Sequence, residues 1–387
     1  MITAIAEALF WSSLALVAYA YVGYPVAVWI CARLFGRRAV PPAVADAELP
    51  TITLLIAAHN EAEVIGARIE NALALDYPAG KLEIVIASDG SKDATVEIAR
   101  AYADRGVRVL DYQPNRGKST TLNAAWPELR GEIVLLSDAN TFTDADAPRR
   151  LARWFLDPSI GSVCGRLVLI DPATGRNVDG VYWRYETFMK LCEARLGALL
   201  GANGAIYAIR RDGYVPIPPE TAVDDFVIPL LAELTHGTRL VYDADAVARE
   251  ETPPEVADEF KRRARIGAGG FQSLKTLWPL LHPRHGWLAW SFLSHKLLRW
   301  CCPFFLLGMI VTNAALLAIP FYRATLIAQA TFYGLAWFGA RAEGSGTLLK
   351  LVRLTTLFSS MNAALLVGFY RWLTGRQRGA WARTARG

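Results

Sequence analysis

The sequence predicts an α/β domain on a mostly parallel sheet, flanked by membrane-spanning helices at both ends and followed by an amphipathic helix at the membrane interface. Three observations carry this. Strand-like apolar runs alternate with helix-periodic segments from Thr51 to Asp138, an almost uncharged run extends from Ala8 to Ala32, and apolar segments return after Cys301. At 387 residues and 53% hydrophobic composition, the chain has room for one large domain and several spans.

The divisions expected are an anchor over 1–38, a linker over 39–50, an α/β domain over 51–252, interface helices over 253–298, a membrane region over 299–373 and a basic tail over 374–387. The first apolar run can cross a bilayer core of about 30 Å. It is followed, not preceded, by Arg33, Arg37 and Arg38, which marks an anchor rather than a cleaved signal and puts the next domain in the cytoplasm. The net charge of +5 is modest, and the arginines gather beside apolar segments, favouring a membrane surface over nucleic acid. Cys31, Cys164, Cys192, Cys301 and Cys302 include no C-x-x-C pair, so neither a disulfide framework nor a zinc site is expected.

After the linker prolines Pro41, Pro42 and Pro50, strands are expected from Thr51, Glu83, Val107 and Glu132. Helices are expected at Glu61–Leu75, Lys92–Ala103 and Ser119–Trp126, the last stopped by Pro127. Such alternation predicts parallel strands with helices on both faces. Polar residues follow each strand: His59, Asn60 and Glu61; then Asp89, Gly90, Ser91 and Asp93; then Asn115, Arg116, Gly117 and Lys118; then Asp138 and Asn140. One edge of a parallel sheet collects all four clusters, which makes a nucleotide-sized site. Lys118 near a helix start suits a phosphate. Asp138 and Asn140 can turn oxygens toward one point, as a divalent cation with its diphosphate requires.

The middle, Leu151 to Glu250, reads less regularly. A strand is expected from Ser162 and a long helix over Val178–Leu199. Gly201, Ala202, Asn203 and Gly204 allow close backbone approach to a ligand. Asp224 and Asp225 stand side by side before a helix over Phe226–Leu234, where like charge raises proton affinity. A basic amphipathic helix over Glu255–Leu277 carries Lys261, Arg262, Arg263 and Arg265 and suits the cytoplasmic interface. Three further spans are expected near Cys301–Ile319, Thr325–Ala340 and Leu354–Trp372, making about four in all. Counted that way the tail falls outside, against the preference of Arg371, Arg376, Arg378, Arg383 and Arg386 for the inside.

The ordered series H-N-E at His59, S-D-G-S-x-D at Ser88, N-R-G-K at Asn115, D-A-N at Asp138, G-A-N-G at Gly201, D-D at Asp224 and a basic motif at Arg262 resembles the membrane-bound family 2 glycosyltransferases. That group includes cellulose, hyaluronan, chitin and poly-N-acetylglucosamine synthases and ceramide glucosyltransferases. The resemblance implies a GT-A fold and an inverting transfer from a nucleotide sugar, usually a UDP-sugar, at the inner (cytoplasmic) membrane. The acceptor implied is a lipid-linked or polysaccharide glycan, with an export or assembly protein as a partner and Mg2+ or Mn2+ as cofactor. By the same resemblance Glu61 and Asp89 hold the uridine, Lys118 lies near the diphosphate, and Asp138 is the first carboxylate of the D-x-D metal motif. Asp225 is the general base, with Asp224 beside it. His59, Asn60, Ser91, Asn115 and Arg265 are expected on the donor side, and Gly201, Asn203, Gly204 and Arg262 on the acceptor side.

Three departures qualify the match. Asn140 stands where a second aspartate is common, which leaves the metal site one charge weaker. The Q-x-x-R-W motif is met only by Arg262-Arg263-Ala264-Arg265-Ile266, which keeps Arg265 but lacks the tryptophan that stacks on the acceptor in polymerising members. The membrane region is short for a polymer channel. Processive synthesis and single addition are therefore both open, and the alternative from another class is a non-catalytic nucleotide-sugar-binding partner of an export system.

Overall fold

The computed structural model describes residues 1–171, 177, 180–251, 256–342, 344 and 346–376. It divides into two compact units, one built on Val28–Pro254 and Ser273–Ser291, the other on Met1–Ala27, Glu255–Gln272 and Phe292–Gln377.

The first unit holds a single eight-stranded sheet. Its strands are β1 (Ile52–Ala58), β2 (Leu82–Asp89), β3 (Val107–Tyr112), β4 (Ile133–Asp138), β5 (Phe142–Thr143), β6 (Ile160–Ile170), β7 (Tyr207–Arg210) and β8 (Arg239–Glu251), in the spatial order β3-β2-β1-β4-β7-β6-β8-β5. The four strands expected from the sequence are β1 to β4, and they pair in parallel. The register matches Ala58 with Ser88, Ala57 with Asp138 and Asp89 with Tyr112, so all four carboxyl ends stop in one row. Every residue of β1 is buried, the polar Thr53 included, as a strand between helical layers requires. Ile52, Leu54 and Ile56 share a core with Ile65 and Ile69 of the helix Ile65–Leu73, the alternation of period two that a strand imposes.

The middle of the chain is more regular than its sequence suggests. β6 covers the strand expected from Ser162, while β5, β7 and β8 have no counterpart among the expected strands. β7 is antiparallel to both β4 and β6, β6 runs parallel to β8, and β5 pairs antiparallel with β8. Helices form near the expected places: Ile65–Leu73, Thr95–Arg100 and Val181–Arg195 are shorter than expected, and Lys118–Ala125 has the expected length one residue earlier. Pro127 ends the last of these in a 3-10 turn, Trp126–Glu128. The helix after the adjacent aspartates starts earlier, at Asp224, and runs to His236.

A helix spans Val256–Leu277, its part up to Gln272 in the second unit, and carries the basic residues expected there. Among the described residues three helices, Ile2–Leu34, Trp287–Ala315 and Thr347–Leu373, are long and apolar enough to cross a membrane. This corrects the count of about four. The segment expected at Thr325–Ala340 is a helix, Pro320–Gly339, but its proline, Arg323, Gln329 and two tyrosines make it less apolar than the other three. Polar side chains join the spanning helices: Asn362 Nδ2 donates to Tyr21 Oη at 3.0 Å, and Tyr19 Oη lies 2.9 Å from Ser294 Oγ. Of the tail arginines, Arg378, Arg383 and Arg386 lie outside the described residues.

Candidate active site

The row of strand ends gathers the first three polar clusters into one hydrogen-bonded floor. His59 Nδ1 donates to the Asp89 carbonyl at 2.7 Å, and the Asn60 N–H donates to Ser91 Oγ at 3.1 Å. Asn60 takes φ 56°, a conformation asparagine tolerates better than most residues, and its Oδ1 accepts the Lys92 N–H at 2.8 Å. The Glu61 N–H donates to Thr95 Oγ1 at 2.8 Å. Asp89 is fully buried, and its two carboxylate oxygens accept the N–H groups of Arg116 and Gly117, both at 2.8 Å. It therefore shapes the loop after β3. Gly90, at φ 64°, is required where the loops cross, since a Cβ there would lie 2.3 Å from the Asn115 nitrogen. Asn115 Nδ2 in turn lies 3.1 Å from His59 Nε2.

The acidic residues converge on the first residue of the next helix. Lys118 Nζ donates to Asp138 Oδ1 at 2.8 Å and sits 3.1 Å from Asp224 Oδ2. Burial works against its charge, but Asp138, Asp224 and Asp225 outweigh burial and hold its pKa above the ordinary lysine value. Asp225 shows the opposite balance. Burial and the neighbouring Asp224 carboxylate raise its pKa, only partly countered by Lys118 and Lys190.

A proline explains how the G-A-N-G loop is docked here. Pro229 lies inside the helix Asp224–His236 and has no N–H, so the carbonyl four residues earlier, that of Asp225, receives no helical bond from it. That carbonyl accepts the Ala202 N–H at 2.9 Å, and the Gly204 N–H donates to Asp225 Oδ2 at 3.0 Å. The main chain of the loop thus holds both ends of Asp225. A Cβ at Gly204 would lie 3.4 Å from Asp225 Oδ2 and 3.5 Å from Asp138 Oδ2, so the two carboxylates, 87 positions apart in the chain, meet at one point.

Two residues join the site that the sequence does not single out. Lys190, on the helix Val181–Arg195, donates to Asn203 Oδ1, and Asn203 Nδ2 donates to the Gly165 carbonyl at 2.8 Å. Among the charges on that helix, Arg184, Glu186, Glu193 and Arg195 attract equal notice, and only the fold distinguishes the lysine. The second is Glu250, whose Oε1 accepts Asn140 Nδ2 at 2.8 Å.

Arg262 and Arg265 belong to the other unit. Arg262 Nε donates to Glu259 Oε2 at 2.8 Å one turn earlier on its helix, and Arg265 is exposed.

Among the described residues no group of three or more His, Cys, Asp and Glu forms a metal cage. The residues do fit a cation that is completed by a ligand's phosphates. Asp138 and Asp224 already share one positive charge, the Lys118 ammonium, and magnesium-type ions bind through one or two carboxylates plus substrate phosphates.

Residues 53–214 match the family described as glycosyl transferase family 2. The chain is 28% identical over 240 residues to poly-beta-1,6-N-acetyl-D-glucosamine synthase of Staphylococcus aureus, covering 59% of this chain and 56% of that protein. The protein of the same description from Staphylococcus epidermidis is 25% identical over 244 residues, covering 59% and 57%. The match thus spans little more than half the length of these curated relatives. Among solved structures, a mannosyltransferase from Pyrobaculum calidifontis in complex with GDP-Man and Mn2+ superposes with a TM-score of 0.73 at 21% identity, covering 96% of this chain and 99% of that one. It has the same fold.

Proposed function

From a chain that carries a family 2 glycosyltransferase domain over residues 53–214, we propose an inverting glycosyltransferase. It transfers a sugar from a nucleoside diphosphate, UDP in the leading reading, to an envelope glycan or a lipid-linked acceptor at the cytoplasmic face of a membrane. The observation that carries the reading is the meeting of Lys118, Asp138, Asp224 and Asp225 beside Gly204, at the edge where parallel strands end. The resemblance of about 240 residues to poly-N-acetylglucosamine synthases supports a glycan product. The fold neighbour bound to GDP-Man makes a GDP-sugar the donor to test beside UDP-sugars.

In this reading the anomeric C–O bond to the diphosphate breaks as an acceptor oxygen attacks from the opposite face. The acceptor O–H passes its proton to an Asp225 oxygen, and the nucleoside diphosphate departs. Asp225 is oriented for this by the Gly204 N–H and the Ala202 contact. Lys118 offers its charge to the diphosphate. Asp138, with Asn140 beside it, would hold a Mg2+ or Mn2+, which would supply further charge to the leaving group. His59, Asn60, Glu61, Ser91 and Asn115 line the donor side, with Asp89 beneath them. Asn203 and Gly204 face the acceptor, and Arg262 and Arg265 are assigned to acceptor and donor through the family motif alone. Arg33, Arg37 and Arg38 after the first spanning helix support a cytoplasmic domain at the inner membrane.

Detergent-purified protein with Mn2+ or Mg2+ is expected to release free nucleotide from one donor among a panel of UDP- and GDP-sugars, with membrane lipid extract or a growing glycan as acceptor. Asp138→Ala should abolish that release. A wild type that releases nothing from any donor, with or without lipid, would overturn the reading. Gly204→Ala tests the meeting point itself. Both carboxylate contacts of the new methyl are at ordinary van der Waals distance, so the variant should fold with unchanged melting temperature. The methyl lies where the reacting groups come together, so kcat should fall roughly 10- to 100-fold. Full activity in Gly204→Ala would place the chemistry elsewhere.

A further inference from the structure

The loop that carries Asp138 and Asn140 is fastened from both sides. On one side Asn71 grips Thr143 twice: its Nδ2 donates to the Thr143 carbonyl at 3.0 Å, and its Oδ1 accepts the Thr143 N–H at 2.9 Å. On the other side β5 is zipped to the end of β8. Phe142 pairs with Arg249 and Thr143 with Ala248, the Asp144 N–H donates to the Val247 carbonyl at 3.0 Å, and Arg249 forms an ion pair with Asp144. Continuing that antiparallel register brings Glu250 level with Thr141, next to Asn140. There the half-buried Glu250 accepts Asn140 Nδ2 at 2.8 Å.

A carboxylate only accepts hydrogen bonds, so it fixes which end of the planar carboxamide points at it. With the nitrogen committed to Glu250, the oxygen of Asn140 lies at the opposite end of the group, as a neutral donor atom for a cation. An aspartate at position 140 would instead set two carboxylates against each other at hydrogen-bond distance, and one of them would have to move or take up a proton.

We propose that Glu250 is a positioning residue of the cation site, holding Asn140 so that its Oδ1 serves the metal–diphosphate complex in place of a second aspartate. This rests on the glycosyltransferase reading. Partners of this kind, behind the direct ligands, orient the ligand, and their loss costs about 10- to 100-fold in metal affinity. The consequence is counter-intuitive. Restoring the common D-x-D pattern here should weaken the site, and exchanging the two residue types should repair it.

The test is Mn2+ binding to the detergent-purified full chain, followed by the electron paramagnetic resonance of free Mn2+ in the presence of UDP and, separately, GDP. Wild type, Asn140→Asp, Glu250→Gln, the double variant and Asp138→Ala are compared, with melting temperatures recorded. Asn140→Asp is expected to bind Mn2+–nucleotide about tenfold more weakly and Glu250→Gln several-fold more weakly. The double variant, in which the introduced carboxamide can donate from its Nε2 to the introduced carboxylate, should return to near wild-type affinity at unchanged overall charge. A role confined to folding predicts no such recovery of metal affinity. Tighter binding by Asn140→Asp, or losses that simply add in the double variant, overturns the role of Glu250 while Asp138→Ala still loses binding. Absence of Mn2+–nucleotide binding in a wild type that still releases nucleotide from a donor sugar overturns this inference alone; absence of both overturns the glycosyltransferase reading with it.

Discussion

Asp225→Asn is expected to lower kcat by roughly 100- to 10,000-fold, the range general bases contribute, while leaving donor affinity within a few-fold of wild type. The amide keeps the shape and can still accept the Gly204 N–H, but it cannot take the acceptor's proton. The same substitution should not destabilise the fold near neutral pH. Burial and Asp224 raise the Asp225 pKa above its ordinary 3.8, so the native state binds that proton more tightly than the unfolded chain does. The sign follows. The ionised group costs no stability at a pH below 3.8, and its cost grows as the pH rises toward the elevated native value. The neutral asparagine avoids that cost, so its melting temperature should equal or exceed that of wild type at about pH 7, with the difference vanishing in acid. For the wild type, the acid limb of kcat/KM should lie above the ordinary carboxylate range. Preserved turnover in Asp225→Asn would remove this residue from the chemistry. Loss of turnover together with a marked drop in melting temperature would make its role structural.

Lys118→Met is the second large effect expected. Its ammonium bridges Asp138 and Asp224, whose side chains are 28% and 12% exposed, and its own is 21% exposed. Removing the cation from such an enclosed group leaves carboxylates facing one another, a loss that typically costs about 3–5 kcal/mol when one partner of a buried pair is deleted. In EDTA the variant should therefore melt several degrees below wild type. Mn2+ should recover more of that loss than it adds to wild type, because a divalent ion can replace the missing charge among the carboxylates. Turnover should fall by roughly 100-fold or more even with Mn2+, since the diphosphate loses a charged contact. A variant that matches wild type in EDTA, or that gains no more from Mn2+ than wild type does, would show that the bridge does not hold the site together.

The residues of the site differ in how far the sequence exposes them. Asp138 is legible because the apolar run Ile133–Leu136 marks the buried strand it ends, and because three earlier strands end in polar clusters of their own; an aspartate after a single strand is more often a cap. Asp225 is legible as one of a pair of adjacent carboxylates at a helix start, and the G-A-N-G loop through its glycines. The contact between that loop and Asp225 is also written in the chain, in Pro229 four positions after Asp225, but a proline is usually read as a helix breaker and not as the release of a carbonyl for another partner. Lys190 and Glu250 lie at the other extreme. Each is a common charge in a charged neighbourhood, and each acquires its partner only through pairings of β6, β7 and β8 that no local periodicity announces. β5 is two residues long and exists only because β8 lies beside it. The segment from Thr325 to Ala340 is short for a bilayer and reads as a span only when its apolar residues are weighed before Gln329 and Tyr333 within it.

The pairing of β5 with β8 also sets the order in which a newly made chain can become complete. β1 to β4 can pair with one another within the first 138 residues, but the Asn140 amide must wait for a glutamate 110 positions later. At ribosomal speeds of about 5–20 residues per second, that is a delay of roughly 5–20 s during which the loop has no strand to lie against. A ribosome-bound fragment ending before β8 would therefore carry the strand ends of β1 to β4 without the contact that holds Asn140, and, on the function proposed above, metal–nucleotide binding would be acquired late, as β8 leaves the exit tunnel.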